Sequence, residues 1–144
     1  MTTIIPALIE HIPFITQQLS SEYRHLNEES GYPIYKTDSS FFAQIVESRI
    51  RTPESEFKYF VLTEENWEVL GFISLLQKKR GEILMISLKN QNKANLTTLL
   101  SFGIDFLKEN GSEFIVFEAA PQESEYQEAL KTLWAKKFSS KFIL

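Results

Sequence analysis

The chain contains no cysteine, which removes disulfides, thiolate metal sites and thiol nucleophiles, and with them any sign of an oxidising compartment. Histidine is nearly as scarce: His11 and His25 are far apart and have no ligand-like neighbours, so no metal site is expected. No apolar run approaches the roughly 20 residues that a membrane-crossing helix needs. The segment from Met1 to Ile12 lacks the basic stretch and apolar core of a secretory signal, being interrupted by Glu10 and His11. A cytoplasmic protein that does not engage a membrane is therefore expected. The net charge of −4 argues against nucleic acid as a partner, with Lys78, Lys79 and Arg80 reading as a solvated turn.

What the sequence does have is core-forming material. Of its 144 residues, 43% are apolar and 13% aromatic, enough for a sizeable interior, so one domain spanning residues 1–144 is the expectation.

Patterning along the chain changes period several times. Thr3 to Ile9 reads as a short strand, confined to an edge or an end by Pro6, which cannot donate to a ladder. Ile12, Ile15, Leu19, Tyr23 and Leu26 then recur at spacings of three and four, predicting a helix with Pro13 in its first turn. Glu28 to Pro33 breaks the pattern, and a second helix begins near Asp38 or Ser39, burying Phe42, Ile45, Val46 and Ile50. Lys58 to Thr63 and Val69 to Gln77 are strand-like and joined by the Glu64-Glu65-Asn66 turn. A third strand, Glu82 to Leu88, follows a basic turn closed by Gly81.

A polar loop from Lys89 to Ala94 leads into a helix carrying Leu96, Leu99, Leu100, Ile104 and Leu107, ended by Asn110-Gly111. Phe114 to Phe117 suits a buried strand. Ser124 with Gln127 is a capping-box signature for a helix from Glu125 to Lys136, and Ser139 to Leu144 reads as a last strand. The fold class is thus α/β (α+β): about six strands in a mixed, mostly antiparallel sheet, about four helices, in the order β-α-α-β-β-β-α-β-α-β. The strand-helix-strand unit between Leu88 and Phe114 should be a crossover with parallel strands. Its helix N-terminus offers free amides to an anion, so Ile83 to Asn110 is the segment expected to hold a ligand.

The layout resembles the GCN5-related N-acetyltransferase (GNAT) superfamily. Ile4-Ile5-Pro6-Ala7 followed by Ile12-Pro13-Phe14-Ile15 is similar to that family's opening, and the element order agrees up to Leu144. The resemblance implies transfer of an acetyl group from acetyl-CoA to a primary amine. The family's diphosphate loop, Gln or Arg, two residues, Gly, one residue, Gly or Ala, falls on Gln91, Asn92, Lys93, Ala94, Asn95 and Leu96. Gln91 agrees. Ala94 and Leu96 stand where small residues let the backbone approach the diphosphate, and Leu96 either blocks that approach or turns into the core. The backbone of Ile86, Ser87 and Leu88 is implied to hold the acetyl carbonyl and the pantetheine arm.

On the last helix the family pattern falls on Tyr126, Ala129, Leu133, Lys137 and Phe138. Ala129 and Phe138 agree, while Leu133 replaces the tyrosine that protonates the departing thiolate. The resemblance assigns Glu82 as general base, with Glu118 as second choice. Tyr32 and Tyr35, flanking Pro33, are the candidate pocket residues for a small-molecule or peptide amine acceptor. The chain ends before the family's seventh strand, which would leave a C-terminal strand edge open to a homodimer partner. The alternative function is a catalytically inactive protein of the same fold that binds a small molecule or a protein.

Overall fold

The alternating segments in the middle of the chain form an antiparallel meander. In the computed structural model, which describes residues 1–117 together with Glu128 and Lys131, the meander consists of β2 (Phe57–Thr63), β3 (Val69–Leu76) and β4 (Arg80–Leu88). β1 (Thr3–Pro6) lies antiparallel to β2, and β5 (Phe114–Phe117) lies parallel to β4, so spatial order follows chain order. The expected final helix and strand fall outside the described residues, apart from Glu128 and Lys131, which are helical.

Several boundaries differ from the sequence reading by a residue or a few, with α1 running through Glu28 to Ser30, and two of the differences have a clear local reason. β1 stops at Pro6, opposite Phe60, instead of reaching Ile9. Beyond it the chain tightens into a short turn at Ile9–His11, where the Leu8 amide donates to His11 Nδ1 at 2.9 Å. β4 starts at Arg80, so Gly81 is inside the strand and does not close a turn. It pairs with Ile115, and a side chain there would come within 2.6 Å of Ser112 Oγ. The glycine is needed for close packing.

The helices carry the caps that their sequences advertise. α1 (Ile12–Ser30) has Pro13 in its first turn and ends on Gly31 in the left-handed conformation, φ 77°. α2 (Ser39–Ile50) is capped by Asp38, whose carboxylate accepts from the Ser40 amide at 2.9 Å. α3 (Lys93–Glu109) forms the crossover between the parallel strands β4 and β5. Among the described residues no helix is long and apolar enough to cross a membrane.

The sheet separates two cores. On one face Leu99, Leu100, Ile104 and Leu107 of α3 are fully buried against Leu62, Ile73, Leu75 and Ile83. On the other, Ile15 and Leu19 of α1 and Phe42 and Val46 of α2 pack on Tyr59, Val61 and Phe72. Each fully buried aliphatic or aromatic side chain contributes about 1.5–3 kcal/mol, which is why both faces need their helices.

Gly71 marks the closest approach within the sheet: a Cβ there would lie 2.7 Å from the Ser87 carbonyl oxygen and 2.8 Å from Leu88 Cδ2. Gly71→Ala should therefore cost about 1–3 kcal/mol in urea unfolding, through displacement of the C-terminal end of β4. Unchanged stability would show that the strand yields there at no cost.

Candidate functional site

β4 does not alternate evenly. Met85 lies opposite Ser74 and Ile83 opposite Leu75, so Leu84 is an extra residue with no partner on β3. The phase of the strand changes at this bulge. Ile83, Ile86 and Leu88 pack with the α3 core, whereas Met85 joins the α1/α2 core. Alternation from Ile83 places Glu82, half-buried, on the α1/α2 side as well.

The end of β4 is tied to α1. Gln18 Nε2 donates to Ser87 Oγ at 2.9 Å and to the Leu88 carbonyl at 3.1 Å, and Ser87 Oγ donates to Glu22 at 3.1 Å. Ser87 is almost wholly buried, so these partners satisfy a hydroxyl that water cannot reach. None of these α1 residues was marked by a sequence motif. Both lie at helical spacing, four residues apart on one helix, but polar residues at that spacing ordinarily face solvent.

After β4 comes the turn into α3. Asn92 caps the helix: its side-chain oxygen accepts from the Asn95 amide at 3.1 Å and its carbonyl accepts from the Leu96 amide at 3.0 Å. Among the described residues, the cap leaves the Lys93 and Ala94 amides as the open donors of the first turn. Leu96 turns inward and is part of the α3 core, while Ala94 is exposed. Among the described residues, an anion approaching this helix end therefore meets two backbone amides and a small side chain, with the Leu96 side chain out of the way. The arrangement fits a diphosphate through backbone donors. Lys93 Nζ pairs with Glu128 at 3.0 Å.

On the opposite face of the sheet lies a cavity of about 190 Å³ between α1, α2 and the meander. Its apolar wall comes from Leu19, Phe42, Ile45 and Val46 of the two helices and from Leu84 and Met85 at the bulge. Its polar side chains are those of Tyr23, Arg49, Tyr59 and Ser74. The Arg49 guanidinium lies 3.6 Å from the centre of the Phe57 ring and donates from Nη1 to the Tyr59 hydroxyl at 2.8 Å. Burial pushes the Tyr59 phenol upward from its ordinary value, and the hydrogen bond and charge of Arg49 oppose that shift.

The residues singled out in the sequence do not all converge. Glu82 is in the row Phe57–Leu76–Glu82, which borders the row Tyr59–Ser74–Met85 beneath the cavity. Tyr35 packs on Tyr23 at a ring separation of 5.1 Å, and Tyr23 stacks on Phe42. Tyr35 thus joins an aromatic series leading to the cavity lining. Tyr32 does not: it is 70% exposed, in the loop beyond α1. Glu118, Tyr126, Leu133, Lys137 and Phe138 lie outside the described residues. The sequence reading missed Arg49, Tyr59 and Ser74. Arg49 did carry a signal, because it falls three residues after Val46 and continues the apolar stripe of α2 with a cation.

No protein-family profile matches the sequence, and no characterised protein matches it by sequence similarity. Solved structures do match by shape. A spermidine N-acetyltransferase from Vibrio cholerae superposes with a TM-score of 0.70 at 12% identity, over 91% of this chain and 77% of that one. A ribosomal-protein-alanine N-acetyltransferase from Brucella melitensis biovar Abortus 2308 gives 0.65 at 12% identity, over 98% and 93%. Glucosamine-6-phosphate N-acetyltransferase from Arabidopsis thaliana gives 0.62 at 15%, over 100% and 95%. The chain has the GNAT fold.

Two measurements check this geometry. Asn92→Ala should lower stability by about 1 kcal/mol in denaturant unfolding, and Asn92→Ser should restore most of it, because serine can also cap. Equal stability of Asn92→Ala and the parent would remove the cap from the account. The raised Tyr59 pKa favours the folded state fully below the unfolded value of 10.0, and the contribution is lost as pH rises from there through the folded value. Thermal melting from pH 9 to 11 should thus show a decline that is smaller in Tyr59→Phe.

Proposed function

We propose that this chain, acting as a single domain over residues 1–144, is an acetyl-CoA-dependent N-acetyltransferase that acetylates a primary amine by direct transfer. The observation that carries the reading is the joint placement on β4, within a GNAT fold, of a strand end leading to an open helix N-terminus and a bulge that walls a cavity. The donor would approach along Ile86, Ser87 and Leu88. Its diphosphate would lie near Gln91, Asn92, Lys93, Ala94, Asn95 and Leu96, held by the Lys93 and Ala94 amides. The acceptor would enter the cavity on the α1/α2 side, past Tyr35.

Acetyl-CoA supplies the acyl group as an activated thioester, so the chain's own residues need only orient the amine and remove its proton. Glu82 is assigned that proton. It sits on the cavity side of β4, one row from the cavity floor, and a carboxylate there can accept directly or through one water. Glu118 is the second choice for the base. The three solved relatives act on a polyamine, a protein and an amino sugar by their names, so the fold alone leaves the acceptor open.

Calorimetric titration with acetyl-CoA and coenzyme A should show binding of both, and thiol release should appear with one or more members of a panel of amines, amino acids and peptides. Glu82→Gln should lower kcat by about 100-fold without weakening acetyl-CoA binding. No binding at millimolar acetyl-CoA would sink the proposal, and full activity of Glu82→Gln would transfer the base to another group. Binding without turnover across the panel would mark the chain as a non-catalytic binding module.

A further inference from the structure

We propose that the cavity between α1, α2 and the meander recognises a carboxylate, and hence, resting on the transferase reading above, that the acceptor is a compact amino acid with an apolar side chain.

The polar atoms of the cavity are unequally matched. Arg49 has no carboxylate partner among the described residues: its Nη1 donates to Tyr59 and its plane stacks on Phe57, leaving further N–H groups uncommitted. The Tyr59 oxygen accepts from Arg49, so its own O–H hydrogen is free to donate. Tyr59 is 7% exposed and Ser74 5%, and neither hydroxyl hydrogen finds an acceptor among the described residues. A buried donor left without an acceptor costs about 1–3 kcal/mol. Here two donors without an acceptor among the described residues and a guanidinium line the same cavity.

That set defines its complement. Every unmet group can donate, one is cationic, and the Arg49 fork is already oriented by Tyr59 and Phe57, which suits two coplanar acceptor oxygens. A carboxylate supplies those oxygens with a single negative charge. The rest of the wall, Leu19, Phe42, Val46, Leu84 and Met85, is apolar and suits a hydrocarbon body. Since an apolar cavity of about 150 Å³ admits a benzene-sized molecule, the 190 Å³ found here has room for a branched or aromatic side chain of about that size. Leu84 and Met85 belong to the strand assigned to the donor, so a carboxylate anchored at Arg49 would direct an α-amino group toward β4.

Isothermal titration of the full chain, without acetyl-CoA, tests the pocket independently of turnover. The probes are L-phenylalanine, L-leucine, 3-phenylpropionate, 2-phenylethylamine and phenyl phosphate. The carboxylates should bind, with 2-phenylethylamine weaker by about tenfold or more, the worth of a charge-assisted hydrogen bond. Arg49→Lys, which keeps the charge but loses the fork, should weaken the carboxylates by about tenfold. Ser74→Ala, which removes a single oxygen and leaves the fold intact, should weaken them several-fold. The assignment is overturned if no carboxylate binds at about 10 mM, a millimolar Kd being the weakest affinity that would matter. It is also overturned if 2-phenylethylamine binds as well as the acids, if phenyl phosphate binds more tightly than they do, or if both variants bind like the parent. Acetylation of carboxylate-free amines by a protein that binds no acid would sink the pocket assignment alone. Acid binding without acetyl transfer to any amino acid would uphold the pocket and sink the transferase reading.

Discussion

One inserted residue determines how the two faces of the sheet are used. Because side chains alternate with a period of two, the surplus Leu84 on β4 resets which face each later residue meets. Ile83, Ile86 and Leu88 are thereby all directed to the α3 core, and Met85 to the opposite side. Without the bulge, Ile86 and Leu88 would share a face with Glu82, and Ser87 would lose its partners on α1. The cavity wall, the Gln18 and Glu22 contacts and the inward packing of β4 all depend on that change of phase.

The bulge also brings two chemically different regions onto one strand. Toward the α3 side, the chain leaves β4 for a helix start whose cap by Asn92 consumes some amides and leaves others open. Toward the α1/α2 side, a guanidinium, a phenol and a serine hydroxyl sit among apolar walls. Direct transfer requires the reacting atoms to approach within about 3–3.5 Å, so two molecules bound on these two sides would have to meet at an edge of β4 and not across it.

Much of this fold was legible in the sequence, because local patterns and tertiary packing agree. The stripes of α1, α2 and α3, the Asp38 and Asn110-Gly111 signals and the meander all come from periodicity and capping, and each serves one face of the sheet. The direction of Leu96 was in principle readable too: it precedes Leu99 and Leu100 by three and four residues, the spacing of a shared helical face. The bulge was not legible, since Ile83-Leu84-Met85-Ile86 is continuously apolar and shows no break in alternation. Nor was the Arg49–Tyr59 pair, which joins a helix to a strand across an intervening turn. Pairings of that kind are set by how elements pack, and a period within either element carries no trace of them.

The contacts of Gln18 give the cavity an unequal construction. Through that side chain α1 is fastened to both the side chain and the backbone of β4, and Glu22 holds the same serine from one turn further on. On the other side, α2 meets the sheet through rings and aliphatic chains, with the Arg49–Tyr59 hydrogen bond as its polar link at the cavity. Oil-like contacts slide at small cost, whereas hydrogen bonds to a strand backbone do not. The cavity thus has a fixed jaw and an adjustable one. Differences in the size of what it accepts would be absorbed by α2, while the geometry at β4 stays constant.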